Sequence, residues 1–248
     1  MSATELLILF IISLIANLLS ALAGGGAGLL QLPALLFLGL PFPTALATHK
    51  IASVALGVGA SIRHWQSEKL DVRFSLFILA AGLPGVWLGT QVILDVPEHW
   101  AKFAIGVYSL FKPNLGQKNE TRTHSFRELS IGCSVLFIIG VLNGSLTSGT
   151  GLFVTLWLIR WFGFDFTRAV AYTLILVGLF WNGVGALFLA QQTTVAWTWL
   201  PPLLLGSLVG GYAGAHWALL KGNKLVKRSF ELITIAVGSH LVISSFMH

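Results

Sequence analysis

Charged side chains are scarce in this sequence: Lys and Arg number 15 and Asp and Glu 9 among 248 residues, 10% in all. A soluble domain carries about 25%, so this chain has too little charge to cover a water-facing surface. Cysteine is nearly absent. The single Cys133 lies inside an apolar run, which excludes an intrachain disulfide framework. There is no P-loop, which argues against ATP hydrolysis by this chain. No His, Asp and Glu residues cluster at metal-ligand spacing, so neither a metal nor a cofactor is expected. The net charge is +6, but no long basic stretch or recognition motif accompanies it, and nucleic acid is not an expected partner. A positive leader is missing too. Ala21-Leu22-Ala23 resembles a signal-peptidase site at the end of the apolar run Leu6 to Leu22, yet residues 1–5 hold only Glu5, so the run reads as a retained first span.

What is present is apolar surface: 55% of the residues are hydrophobic, and mean hydropathy is +0.83. Apolar runs fall at 5–23, 28–40, 44–62, 73–94, 99–111, 129–147, 149–163, 166–190, 195–220 and 229–246. A membrane-crossing helix needs about 20 such residues. The fold class expected is all-α, a polytopic integral membrane protein with about 6 full spans plus two Gly-broken helical hairpins, 8 or so apolar spans overall. Trp65, Trp100, Trp197 and Trp199 fall at span ends, where indole rings anchor at the bilayer interface.

The one polar stretch, Lys112 to Glu128, divides the chain into matching halves. Gly25-Gly26-Ala27-Gly28-Leu29 matches Ser148-Gly149-Thr150-Gly151-Leu152, Phe42-Pro43-Thr44-Ala45-Leu46-Ala47 matches Phe166-Thr167-Arg168-Ala169-Val170-Ala171, and Gly85-x-x-x-Gly89 matches Gly210-x-x-x-Gly214, at offsets of 123, 124 and 125. The expected organisation is a first transmembrane repeat over 1–111, a cytoplasmic linker over 112–126 and a second repeat over 127–248. The loops at 63–73, 112–128 and 221–228 carry the basic residues, whereas 94–102 has one beside two acids and 190–196 has none. Positive loops stay cytoplasmic. The loop before the first G-x-x-x-G helix is basic where its counterpart is uncharged, so the halves are expected to be inverted, as in many secondary transporters. Both termini then lie outside the cytoplasm. The short runs at 28–40 and 149–163 read as half-helices that start at a Gly-rich break near the middle of the bilayer and fold back.

Those two breaks are the candidate site. Helix N-termini after Gly25, Gly26, Ala27 and Gly28 and after Gly149 and Gly151 point free N–H groups and positive dipole ends at a common place, which suits an anion. Lys50 is the one formal charge set well inside a span. It either faces an anion in the bundle or snorkels outward. His49 lies beside it, about 100° round the helix. Asn143, Ser148, Thr150, Tyr172 and Thr173, with Thr147, give the second half a hydroxyl-rich set that suits either an oxyanion or interhelical polar bonding. The two G-x-x-x-G pairs read as packing seams. Trp181 with Asn182 is central and without an assigned role.

The run Gly24-Gly25-Gly26-Ala27-Gly28-Leu29-Leu30-Gln31-Leu32-Pro33, Gly39, and then Ala45-Leu46-Ala47-Thr48-His49-Lys50 resembles the first repeat of the TauE/SafE family of membrane proteins, also called the sulfite exporter TauE/SafE or DUF81 family. The 148–174 region and the segment from Gly210 to Val242 resemble the second. The sequence departs from the family pattern at His49, where related members tend to carry Asn, and at Leu174, where some carry a second Lys. The resemblance implies a bacterial inner-membrane transporter of a small anion, often a sulfur oxyanion or organosulfonate. Thr48, His49 and Lys50 count among the candidate substrate-binding residues, and the basic loops put both termini in the periplasm. The chain is read as a secondary transporter, exporter or permease, and not an enzyme. A proton as coupling ion and a second copy of the chain as partner both stay open. The alternatives are an intramembrane serine hydrolase, with Ser148 as nucleophile and His216 or His240 as base, and an anion channel.

Overall fold

A computed structural model describes residues 2–64, 70–92, 125–145 and 149–245. All the regular elements among them are helical. The linker at 112–124, the apolar run at 99–111, the loop at 94–102, Lys69, Trp65, Trp100, Thr147 and Ser148 lie outside the described residues.

Helix α1 (Ala3–Ala23) starts in a capping box. The Ser2 hydroxyl accepts from the Glu5 N–H and the Glu5 carboxylate accepts from the Ser2 N–H, so two otherwise orphaned donors are satisfied. The helix stops because Gly24, Gly25 and Gly26 all take positive φ (79°, 137° and 98°), a region that residues with a Cβ avoid. The chain restarts as a 3₁₀ turn (Ala27–Leu29) and the seven-residue α2 (Gln31–Phe37). Helices α3 (Phe42–His64) and α4 (Val72–Gln91) follow. In the second half come α5 (Phe126–Ser145), then a break at Gly149 (φ 76°), then α6 (Thr150–Arg160). The next span, Phe166–Gln192, is α7 (Phe166–Tyr172), a π-helical stretch (Thr173–Trp181) and α8 (Asn182–Gln192). A 3₁₀ turn (Trp197–Trp199) leads into α9 (Leu200–Ser245).

Among the described residues six helices are long and apolar enough to cross a membrane. Ala27–Phe37 and Thr150–Arg160 are apolar but short. Eleven residues make about 17 Å of helix against a hydrocarbon core of about 30 Å, so these are the half-spans expected from the glycine breaks. Two boundaries differ from the sequence reading. The single run 166–190 is interrupted by the π-helical stretch. The 221–228 segment is helix rather than loop, α9 continuing through it with a break at Gly222 (φ 66°, ψ −168°).

The halves interlock by exchange. The glycines of α9 receive α1: a Cβ at Gly206, Gly210 or Gly214 would meet the carbonyl oxygens of Phe10, Leu14 and Leu18 at 2.7, 2.6 and 2.5 Å. The glycines of α4 receive α5 in the same way, Gly85 at the Phe137 carbonyl and Gly89 at that of Val141. Corresponding residues of the two seams are 123 to 125 positions apart. Both G-x-x-x-G pairs are therefore close backbone-to-backbone contacts of the small-residue type. Residue numbers rise together across each seam, so α1 is parallel to α9 and α5 to α4. With each half-helix returning the chain to its side of entry, α1 and α4 oppose each other within a repeat. Helix α5 therefore runs against α1, which is the inversion expected from the loop charges.

Candidate functional site

The two breaks meet at the centre of the bundle. A Cβ on Gly25 would lie 2.6 Å from the Gly151 carbonyl carbon, and one on Gly151 would lie 3.0 Å from the Gly25 Cα. The contact is symmetric. Gly26 faces the Leu152 side chain at 3.2 Å and Gly149 faces the Leu29 side chain at 3.4 Å. Positive φ at Gly25, Gly26 and Gly149 is what lets each helix end and restart within two or three residues.

Beside this junction is a cavity of about 40 Å³, lined by polar groups of both halves: Ser20, His49, Ser53, Asn143, Thr150, Thr173 and Asn182, together with the glycines. Of the residues singled out from sequence, Gly25, Gly26, Ala27, Gly28, His49, Asn143, Thr150, Gly151 and Thr173 line it. Ser20, Ser53 and Asn182 were not anticipated. The first two belong to ordinary-looking helix interiors, and Asn182 is brought round by the π-helical stretch, which has no pattern in the sequence. π-Helical insertions recur at functional sites because they rotate the residues beyond them. Here Thr173, Leu174, Val177, Gly178 and Asn182 all reach the cavity. The fields of the two breaks differ. Helix α6 begins squarely at Thr150, whereas the first break opens into a 3₁₀ turn and a helix of only seven residues.

Ser20 is 2% exposed, and its hydroxyl has no hydrogen-bond partner among the described residues. A buried hydroxyl left unpaired costs about 1 to 3 kcal/mol, so this one marks a place where a partner belongs.

Lys50 is fully buried and does not snorkel. It also does not line the cavity. Its Nζ donates to Asn143 Oδ1 at 3.1 Å and packs against Gly185, where a Cβ would lie 3.0 Å from it. Since an ammonium is a donor only, it fixes the orientation of the Asn143 amide. The Asn143 Nδ2 is thereby turned to Thr150 Oγ1 (2.8 Å) and Asn182 Oδ1 (3.4 Å). Lys50 thus reaches the cavity through Asn143.

His49 holds the corresponding place in the other network. Gln31 Oε1 lies 2.8 Å from its Nδ1 and Ser53 Oγ 3.2 Å from its Nε2. An amide oxygen only accepts, so the proton of the neutral ring sits on Nδ1 and Ser53 donates to Nε2. Gln31 passes the network on, its Nε2 donating to Ser13 Oγ at 3.1 Å. From there bonds run to Leu203 O (2.7 Å) and, by way of Ser207 Oγ, to Asn17 Nδ2 (2.9 Å). The counterpart of His49 is Thr173, whose Oγ1 lies 2.8 Å from that of Thr155.

Two residues named from sequence stand elsewhere. Thr48 Oγ1 accepts from the Ala196 N–H (3.0 Å) and Tyr172 Oη from the Asp71 N–H (2.7 Å). The two pairs are equivalent in the repeats. Each ties the middle span of its own half to the chain just before the G-x-x-x-G helix of the other, so these groups hold the halves together rather than face a ligand. Gly149 turns the backbone but does not line the cavity. Ser148 is outside the described residues, and of its suggested histidines, His216 has its Nδ1 occupied by the Arg63 Nε–H at 2.9 Å.

Six membrane-length helices, two broken half-helices and a central polar cavity shared by pseudo-equivalent halves define a multi-pass α-helical membrane protein. The chain belongs to the sulfite exporter TauE/SafE family, whose sequence pattern matches residues 9–241. It is 29% identical to a probable membrane transporter protein of Haemophilus influenzae, over 96% of this chain and 94% of that one. It is 28% identical to the probable membrane transporter protein ORF9 of a Sinorhizobium species, over 94% and 91% of the two chains. The probable membrane transporter protein YfcA of Escherichia coli K12 is 25% identical over 96% and 90%. No solved structure matches. The family assignment makes the chain a membrane transporter.

Proposed function

We propose that the chain is a secondary transporter, an exporter or permease, for a small anion of the sulfur oxyanion or organosulfonate class, sulfite or sulfoacetate for example. It lies in a bacterial inner membrane with both termini periplasmic, and residues 1–111 and 127–248 form its two repeats. The observation that carries the reading is the unpaired Ser20 hydroxyl in a cavity where both backbone breaks meet. A sulfonate presents three acceptor oxygens. Ser20 Oγ–H and the Gly28 and Gly151 N–H groups, one at each break and both on the cavity wall, are donors suited to them. The Lys50 charge, relayed by Asn143, adds attraction without being exposed. At about 40 Å³ the cavity holds little more than a water molecule, so this is a closed form. Admitting an anion requires the halves to part at the Gly25–Gly151 contact, a seam free of side chains. The family's description as sulfite exporters supports the substrate class.

The test is a thermal-shift screen of purified protein against sulfite, thiosulfate, sulfoacetate, taurine and common carboxylates. A ligand bound at 100 times its Kd stabilises by about 2.7 kcal/mol. A sulfur oxyanion or sulfonate is expected to raise Tm, and counterflow of the same anion in proteoliposomes is expected to distinguish a carrier from a channel. Stabilisation by carboxylates alone would overturn the substrate class, and flux without trans-stimulation would overturn the carrier.

A further inference from the structure

A second concentration of polar chemistry lies midway along α9, at the end of the span Trp197–Gly222 away from the 190–196 loop. The span Trp197–Gly222 ends where Gly222 breaks the helix. There Trp217, Lys221, Lys224, Leu225 and Arg228 line a pocket of about 450 Å³. The φ of 66° and ψ of −168° at Gly222 belong to a region that is essentially glycine-only. This break makes a concavity where a continuous helix would present a convex face. Lys221, Lys224 and Arg228 are exposed. No ion pair or hydrogen bond engages any of the three among the described residues. Glu231, a turn beyond, does not line the pocket, and neither does the exposed Lys227.

Three cations with no counter-charge among the described residues, turned into one concavity, call for an anion. The neighbourhood says which kind. Trp217 is 49% exposed and Leu220 63% exposed. Both sit on the span side of Lys221, toward the acyl chains, whereas Lys221 stands in the last turn of the span and Lys224 and Arg228 lie beyond its end, at headgroup depth. Indole rings favour that interface, and basic pockets at the ends of membrane helices recognise lipid headgroups. A soluble anion has no use for the apolar lower half. We propose that this pocket binds the phosphate headgroup of an anionic phospholipid, with Lys221, Lys224 and Arg228 on the phosphate, Leu225 against the glycerol and Trp217 along the upper acyl chain. Because α9 is the helix on which α1 packs, a lipid held here braces the seam between the two halves.

The experiment uses the full chain purified in a mild detergent and titrated with phosphatidylglycerol or phosphatidylcholine, read by thermal melting and native mass spectrometry. Phosphatidylglycerol is expected to raise Tm and to survive as a bound adduct, while phosphatidylcholine does neither. Each cation contributes about fivefold. Lys221→Gln, Lys224→Gln and Arg228→Gln together are therefore expected to weaken phosphatidylglycerol binding by about a hundredfold. Lys227→Gln, which removes a neighbouring charge outside the pocket, is expected to leave it unchanged. Native spectra of the unaltered protein need no variant. Equal retention of both lipids there overturns the proposal, as does an equal loss with Lys227→Gln and Lys224→Gln. Protection by millimolar inorganic phosphate to the same extent as by phosphatidylglycerol would make this a soluble-anion site instead and would also overturn it.

Discussion

Replacing Lys50 by Met keeps the length and apolar stem of the side chain and removes only the ammonium. Two effects on stability oppose each other. Asn143 Oδ1 loses its donor, a charge-assisted bond at 3.1 Å of a kind worth about 1.5 to 3 kcal/mol. Against that, the cost of holding a cation inside the bundle, several kcal/mol for an unpaired charge, also disappears. Stability is therefore expected to change by no more than about 2 kcal/mol in either direction. Binding behaves differently. Without the cation the Asn143 amide is free to rotate, its Nδ2 is no longer directed at Thr150 and Asn182, and the field on an anion in the cavity is lost. We expect affinity to fall about tenfold, about 1.4 kcal/mol. Lys50→Arg should restore little, because the broad guanidinium does not fit where Gly185 leaves no space for a Cβ. Anion titrations of Lys50→Met, Asn143→Leu and the double variant separate the routes. If Lys50 acts through Asn143, the double variant loses no more than Asn143→Leu alone. Wild-type affinity and transport in Lys50→Met would refute the reasoning and leave Lys50 a packing residue.

Three further outcomes are expected. Gly82→Ala places a Cβ 1.7 Å from Trp181 Cζ2, with Trp181 fully buried; a loss of about 3 kcal/mol or more is expected, read as a fall in Tm, and an unchanged Tm would contradict the packing. Gly26→Leu and Gly149→Leu each put a side chain at positive φ against a leucine, a backbone cost of about 1 to 3 kcal/mol, so fluorescence size-exclusion chromatography should show less folded protein. A full yield of inactive protein would mean that the added side chains obstruct transport without straining the fold. A C-terminal reporter active only in the cytoplasm should stay silent, and a strong signal would overturn the periplasmic termini.

The sequence displays what repeats and what is regular. Glycine breaks, G-x-x-x-G seams and apolar run lengths set the half-spans and the exchange of α1 and α5 between halves, because each depends on residue type at fixed spacing. The site was half legible. The breaks and Asn143 could be found, since glycine runs and buried amides stand out in apolar helices. Ser20 and Ser53 could not, because a serine inside a helix gives no sign of which way it faces. The π-helical turn at Thr173–Trp181 also had no signal; α3 passes close against it at Gly57, where a Cβ would lie 2.5 Å from Leu179 N. Thr48 and Tyr172 misled for a related reason. Their chemistry suits an oxyanion, but only the fold shows that each is already bonded to a backbone N–H just before the G-x-x-x-G helix of the other half.

The most direct test of an anion at the junction of the two breaks is Ser20→Ala. The hydroxyl has no partner in the closed form, so its removal should leave Tm unchanged or raise it by a few degrees, about 1 kcal/mol relieved. Affinity for the stabilising anion, measured by equilibrium titration of the purified protein, should meanwhile fall about fivefold to tenfold. Greater stability with weaker binding is the expected result. Undiminished affinity in a stable Ser20→Ala protein would place the anion elsewhere and contradict the account.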